Sequence, residues 1–564
     1  MKYKLSKKIY FVIFIILAIS AFLRIINIEG DAPVADISRS GVFYVDEGTY
    51  THNAVNKILY DEWFLSYDYN PISNVPLYSI FQYSLLKILG ISIQTVRFTS
   101  VIYSILSILL LWIMLKKFNP LVAILTLILA GSNYFFIIYN RLALVENLLI
   151  LFLIIESILI YQYSRKGSWG WLIASIVIFW SSYFIKPTIL FFMPILIISI
   201  IYTTYKRKTL LFHLYLYFAI SSLILLIIYY LWVVPHISDW HYFEGRNIHQ
   251  YINESFLIFL MNYARYFTNL KLFQFMPITY SLFLLYLTYV IYEIVKRKRV
   301  GFIDWFFTSW TLCAFLFLGF FKYSPPRHSL ILVPAILVLC SSFIIRLYNG
   351  KLEYKDKSIF ILVFPTVVLV ICQIFFGIYR MLVYEQEYLS CYIPIAGFFV
   401  IGLYLFYFQK WIKGKNVAIL LLTTILIING FQIIKYHSSV EFSYYNAIRD
   451  MKKLIHSEDN SDTQEHILLG DIAPLVSIET KTRALSIIFK DDTESDRIIS
   501  HCPNFLILQD RKELERLSEK LPTYFDEVEL ISSYEIFNNY LNNDSTYFYR
   551  INNECISEKY WVKR

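Results

Sequence analysis

The chain has 564 residues, 57% of them hydrophobic and only 16% charged, where soluble domains carry about 25% charged residues. Such a composition cannot supply the polar surface of several soluble domains, so soluble enzymes, fibrous proteins and disordered scaffolds are excluded. The net charge of +9 is uneven: residues 1–437 hold 36 Lys and Arg against 19 Asp and Glu, and residues 438–564 hold 15 against 23. The basic excess sits in the apolar part, so it gives no reason to expect nucleic acid as a partner.

Apolar runs of about 20 residues, each long enough to cross a ~30 Å hydrocarbon core, recur along the first part. They predict thirteen transmembrane helices at roughly 9–28, 94–115, 119–138, 142–163, 169–185, 187–205, 210–233, 275–295, 302–320, 328–346, 358–378, 392–409 and 417–434. The first follows Lys2, Lys4, Lys7 and Lys8 and has no small-residue cleavage site behind it, so it reads as a membrane anchor. Basic residues in short loops stay cytoplasmic. With the N-terminus inside, the clusters Lys116–Lys117, Arg165–Lys166, Lys206–Lys208, Lys296–Arg299, Arg346 to Lys357, and Lys410 to Lys415 all face the cytoplasm. The apolar segment Pro76–Ile91 is short, and counting it as a span would move every later cluster outside. It reads instead as a helix in the interface or against the bundle. Odd parity then places residues 438–564 outside, as a small extracytoplasmic α/β domain. Its predicted elements are a helix over Glu441–His456, strands at His466–Leu469, Asn504–Gln509 and Thr546–Ile551, a turn at Gly470-Asp471 and a helix over Arg511–Lys520. It reads as a cap that supports the acceptor side. Cys313, Cys340 and Cys372 lie in spans as packing residues, and Cys502 and Cys555 share the outer domain, whose oxidising side permits a disulfide and leaves their pairing open.

The unusual polar residues collect on the outer side. The first outer loop, 29–93, holds Asp46-Glu47 after an apolar stretch, with Tyr50 close behind. A carboxylate there can take a proton from an attacking hydroxyl, and the bland alternative is two solvated loop acids. Tyr139-Asn140-Arg141-Leu142-Ala143-Leu144-Val145-Glu146 puts an acid at an apolar helix start, which is costly unless paired or hydrated; Arg141 is one candidate partner. Glu156, deeper in the same span, reads as a packed structural acid. Lys186-Pro187 interrupts two spans, and a lysine there either snorkels or offers a point charge to phosphate. The outer loop 235–274 adds Trp240, His241, Arg246 and His249, aromatics beside cations. Pro325-Pro326-Arg327 fixes a turn that presents an arginine able to grip phosphate.

Taken in order, the Asp-Glu pair, Pro76-Leu77-Tyr78, Arg97, the Arg-Leu-Ala-Leu-x-acid-Asn run, Lys186-Pro187 and the Pro-Arg turn resemble the GT-C membrane glycosyltransferases. The similarity covers about residues 9–345 and is nearest to the protein O-mannosyltransferases and lipid A aminoarabinose transferases. The resemblance implies transfer of a hexosyl or pentosyl group, with inversion, from a polyprenyl-phosphate-linked sugar to a protein, lipid A or cell-envelope glycan. It implies Asp46, Glu47 and Glu146 as catalytic acids. Lys186, Arg327 and Arg246 would be donor-phosphate ligands, and Tyr50, Trp240, His241 and His249 substrate contacts. A divalent cation shared by Asp46 and Glu146 stays open. Where aminoarabinose transferases carry an acid and a lysine, this chain has Asn74 and Val75. Protein mannosyltransferases usually carry further soluble domains, and no such domain is read in these 564 residues. Competing readings are a lipid-linked glycan flippase or transporter, whose charges would gather near mid-membrane, an O-antigen ligase or polymerase, and a non-enzymatic membrane partner.

Overall fold

The computed structural model describes residues 6–32, 42–65, 70–204, 209–237, 272, 275–296, 300–320, 325–350, 413–457, 466–487, 494–522, 524–536 and 544–552. The apolar part is a helical bundle: α1 (Lys7–Ile25), α2 (Val42–Tyr60), α3 (Pro76–Leu89), α4 (Ile93–Leu115), α5 (Pro120–Ser132), α6 (Tyr134–Asn140), α7 (Val145–Lys166), α8 (Trp169–Tyr183), α9 (Met193–Thr204), α10 (Leu210–Ile228), α11 (Pro277–Val295), α12 (Phe302–Leu318), α13 (Val333–Tyr348) and α14 (Gly414–Ser438). Among the described residues eight helices are long and apolar enough to cross a membrane, or nine if the bent pair α5–α6 is one span, and α8 and α12 are shorter apolar helices. The expected spans at 358–378 and 392–409 lie outside the described residues; the other eleven fall on these helices. The chain is an integral, multi-pass membrane protein. Its outer helix faces expose large apolar side chains such as Phe14 and Leu211, as a surface against lipid requires.

The segment Pro76–Leu89 is a helix of 14 residues, about 21 Å long and too short to span. Tyr78, Ser79, Gln82 and Leu86 form its buried face, while Ile80 and Ile88 point out. The reading at 119–138 as one helix is corrected: it breaks at Asn133 with a 62° bend. The Asn133 side chain accepts from Phe136 N at 2.9 Å and so starts α6, the ordinary work of an N-cap.

That break leaves the last carbonyls of α5 without helical partners, and Arg24 fills the gap. It is fully buried. Its guanidinium donates to Ala130 O (3.1 Å), Gly131 O (3.3 Å), Ser20 O (3.0 Å), Ser20 Oγ (2.7 Å) and Asn140 Oδ1 (3.2 Å). Asn140 passes the chain on to Asn147 Oδ1 (2.7 Å), whose amide binds Tyr139 O and Leu142 O at 3.0 Å. A charge that deep normally marks a site; this one holds a broken helix together.

The C-terminal unit carries α15 (Ser443–Ser457), β1 (Ile467–Gly470), α16 (Ala473–Thr480), β2 (Arg483–Leu485), α17 (Glu494–His501), β3 (Phe505–Leu508), α18 (Arg511–Lys520), β4 (Val528–Ile536) and β5 (Asp544–Ile551). The sheet order is β2-β1-β3-β5-β4. β1 runs parallel to β2 and β3, and β5 is antiparallel to β3 and β4. β2 and β4 escaped the sequence reading. Gly470 ends β1 at φ +152, with Ile507 O only 2.0 Å from where a Cβ would sit, so no other residue fits that turn. Cys502 is disulfide-bonded; Cys555 lies outside the described residues.

The unit joins one end of the bundle. Asp31 N donates to Glu441 O at 2.8 Å, and the Asp31 carboxylate accepts from Ser443 Oγ (2.6 Å) and Tyr444 N (3.3 Å) at the start of α15.

Candidate active site

At this end the acids and cations of four distant segments meet. Asp46 and Glu47 are successive residues of α2, so their side chains diverge by about 100° around the helix and meet different neighbours. Glu47 is 1% exposed. Arg97 grips it with two bonds, Nε to Oε1 at 2.9 Å and Nη2 to Oε2 at 2.8 Å, and Ala143 N adds a third at 2.8 Å. Arg97 Nη1 also donates to Ile28 O (2.9 Å) and Gly30 O (2.8 Å). Glu47 therefore ties α2 to α4 and to the loop before α7.

Asp46 faces the other way. Its Oδ2 lies 2.5 Å from Arg327 Nη1, and its side chain is 16% exposed. Burial pushes its carboxyl up to about 6, against the pull of Arg327 and with a further push from Glu146.

Glu146 opens α7, where an acid suits the positive end of the helix. Its Oε1 lies 2.5 Å from Lys186 Nζ and 3.8 Å from Arg327 Nε. The expected partner Arg141 is thus corrected to Lys186. Arg141 instead donates to Asn27 O and sits 5.0 Å over the Tyr436 ring, beside His437.

Both cations ride on proline-led turns. Lys186 is extended (φ −163°, ψ 127°) because a residue before proline avoids the helical region. Pro187 then opens the 3-10 turn Pro187–Phe192. Pro325 is likewise extended ahead of the turn Pro326–Leu332, which carries Arg327. Burial draws the Lys186 ammonium below its ordinary pKa, and Glu146 opposes that shift.

The result is a row of alternating charge, Asp46, Arg327, Glu146, Lys186, with no net charge. Loss of Glu146, which lies between Lys186 and Arg327, would leave buried positive charge uncompensated, at a cost of roughly 3–5 kcal/mol. Tyr139 and His328 border the row: Tyr139 lies in the field of Arg327 and Glu146, and His328 in that of Lys186 and Arg327. Neither stood out in the sequence, although His328 directly follows the arginine of the turn. Tyr50 packs edge-on against Tyr78 with centroids 6.2 Å apart. Glu156 is buried and accepts from Ser175 Oγ between α7 and α8, a packed acid as expected. Trp240, His241, Arg246 and His249 lie outside the described residues.

The acids do not fit a divalent ion in this arrangement, since Asp46 and Glu146 each face a cation. Among the described residues no three His, Cys, Asp or Glu side chains are grouped to hold one.

Residues 72–232 match the family model of the dolichyl-phosphate-mannose-protein mannosyltransferases. That stretch includes Glu146 and Lys186 and leaves out Asp46 and Arg327. No curated protein sequence matches the chain. Among solved structures it is similar to ArnT from Cupriavidus metallidurans bound to undecaprenyl phosphate, with a TM-score of 0.55 at 11% identity over 97% of this chain and 98% of that one. The apo state of the same protein gives a TM-score of 0.58 at 12% identity, over 96% and 98%. The arabinosyltransferase EmbB from Mycobacterium smegmatis gives 0.51 at 12% identity, over 78% of this chain and 42% of that one. Identities this low speak for the fold alone. With its bundle of apolar helices and its five-stranded C-terminal sheet, the chain has the fold of the GT-C membrane glycosyltransferases.

Proposed function

We propose that the chain is an inverting glycosyltransferase that moves a sugar from a polyprenyl-phosphate donor to an acceptor hydroxyl at the extracytoplasmic face. The observation that carries this reading is the row in which Arg327 lies between Asp46 (2.5 Å) and Glu146 (3.8 Å) while Lys186 sits on Glu146 (2.5 Å). Two cations fixed by an acid between them form a receptor for a phosphate, and a half-buried carboxylate waits beside it. The likeness to a structure holding undecaprenyl phosphate supports the same reading.

In the proposed step the acceptor oxygen attacks the anomeric carbon, and the bond from that carbon to the carrier phosphate oxygen breaks. The electron pair leaves with the phosphate, and the acceptor proton passes to Asp46. Phosphate is a weak base, so the leaving group needs charge stabilisation more than a proton, and Lys186 and Arg327 supply it from fixed positions. Arrival of the donor gives Arg327 a further anion to bind besides Asp46 and Glu146, which loosens its hold on Asp46 as the base is needed. Glu47 serves as the anchor of α2. Charges gathered at one end of the bundle suit surface chemistry better than transport through its middle. Protein, lipid A and glycan acceptors share the hydroxyl this step requires.

The test is Asp46→Asn in reconstituted full-length protein, supplied with undecaprenyl-phosphate mannose and undecaprenyl-phosphate aminoarabinose and with envelope acceptors. Transfer should fall by about 10²–10⁴-fold while undecaprenyl phosphate still binds; full transfer by this variant overturns the role given to Asp46.

A further inference from the structure

Helix α16 of the C-terminal unit touches the catalytic helix where side chains cannot give way. A Cβ on Gly48, two residues past Asp46, would lie 2.4 Å from Leu475 N and 2.9 Å from Leu475 Cα and Pro474 C. These are backbone atoms, so α2 and α16 meet main chain to main chain. At the far end of α16, Glu479 Oε1 accepts from Ile93 N at 2.8 Å. Ile93 opens α4, whose first amides have no helical partner. One turn on, Arg97 forks onto Glu47. Past α16, Lys481 O accepts from Tyr60 Oη at 3.0 Å, and Arg483 lies 4.5 Å over the Tyr60 ring. One short segment of the C-terminal unit thus bears on both ends of α2 and on the helix that anchors Glu47.

The sheet topology sharpens the point. The chain passes from β1 to β2 on one side and then crosses back to β3 on the other. In open α/β sheets, ligands bind at the carboxyl ends of strands beside such a reversal. Here α16 leaves β1 at that end, and α2 packs on its first turn.

We infer that α16 is a positioning element of the active site, which sets the Asp46 carboxylate against Arg327 through the Gly48–Leu475 contact and the Glu479 cap on α4. This rests on the proposed catalytic role of Asp46, and it gives the C-terminal unit a part in the transfer step in place of a separate ligand site. Lys186 and Arg327 ride on other elements, so α16 acts on the base and leaves the phosphate receptor alone.

The test uses Gly48→Ala, Glu479→Ala and Glu479→Gln in the full chain, with Asp46→Asn in parallel. Transfer from both donors is measured across pH, and undecaprenyl phosphate binding is measured directly. Gly48→Ala should lower kcat by up to about 100-fold, the scale of a 1 Å misplacement, and should shift the acid limb of the pH–rate profile, with binding unchanged within about twofold. Glu479→Ala should lower kcat in the same way, and Glu479→Gln, which keeps an accepting oxygen, should restore it. If Gly48→Ala does not fold, the Glu479 pair decides. Wild-type kcat and pH profile in Glu479→Ala overturn the inference, as does a parallel loss of lipid binding. Should Asp46→Asn retain transfer, the catalytic reading fails; should it lose transfer while the α16 variants do not, only this inference fails.

Discussion

At the residue scale, two adjacent carboxylates have opposite environments. Glu47 spends its lone pairs on Arg97 and Ala143 N, whereas burial lifts Asp46 to about 6. A base must be ionised to act, so the transfer rate should rise about tenfold per pH unit below 6 and level off above it. Stability should move the opposite way. The folded value lies above the ordinary 3.8, so the fold holds the proton more tightly than the unfolded chain does. That contribution is fully present below about pH 4 and is lost as pH rises through about 6, roughly 3 kcal/mol in all. Arg327→Gln removes the group that opposes the rise, so its acid limb should move to higher pH. A pH–rate profile together with denaturation midpoints at pH 4.5 and 7.5 checks both signs. All four members of the charged row were legible as residues, because acids and cations break apolar runs conspicuously. Their pairing was not. Arg141 stands five residues from Glu146 and Lys186 stands forty, and only the proline-led turn brings the distant one closer. Nor could the sequence separate Asp46 from Glu47, since their difference lies in which helix face meets Arg97.

At the scale of elements, the break between α5 and α6 is the feature that sequence periodicity hid. Gly131-Ser132-Asn133 carried a signal, an N-cap residue after a glycine, yet an apolar run on both sides read as one span. The break matters because the 134–140 helix and the loop after it lead to Glu146 and supply Ala143 N to Glu47. Arg24 makes the break affordable by binding the carbonyls of Ala130 and Gly131. Arg24→Leu would strand those carbonyls and the Asn140 amide oxygen in the core. It should cost at least about 3 kcal/mol, at 1–3 kcal/mol for each unsatisfied group, and should lower the melting temperature in detergent with the donor site chemically intact. A variant that melts with wild type would show that α1 does not secure the bend. In the C-terminal unit, the helices at 441–456 and 511–520 were legible, the second to the residue, whereas the eight-residue α16 and α17 escaped the sequence reading. The three-residue β2 is too short to show alternation, and β4, whose sequence alternates only in part, shifts register between Leu530 and Ser532.

At the scale of the molecule, composition pointed to a membrane protein, and charge placement predicts a direction for it. The basic clusters at 116–117 and 165–166 end α4 and α7 away from the charged row, while Lys186 and Arg327 lie on turns at the row itself. If the row faces outward, as the positive-inside rule implies, single cysteines placed at Gly167 and at Lys87 should differ. A membrane-impermeant thiol reagent on intact cells should label position 87 and spare 167; the reverse pattern would invert the topology. The same geometry explains why a short apolar helix such as α3 is useful. It lies against the bundle on its buried face, and Leu77 N donates to Phe184 O at 3.3 Å, two residues before Lys186.

In the proposed mechanism Lys186 and Arg327 form a receptor for a lipid-linked phosphate beside Asp46. A structure of the full chain in a lipid nanodisc with undecaprenyl phosphate tests it most directly. Phosphate oxygens are expected about 3 Å from Lys186 Nζ and from the Arg327 guanidinium, with the Asp46 carboxylate next to them and the polyprenyl tail along the apolar helices. A phosphate bound elsewhere, with the Asp46–Arg327–Glu146–Lys186 row intact and untouched, would contradict it.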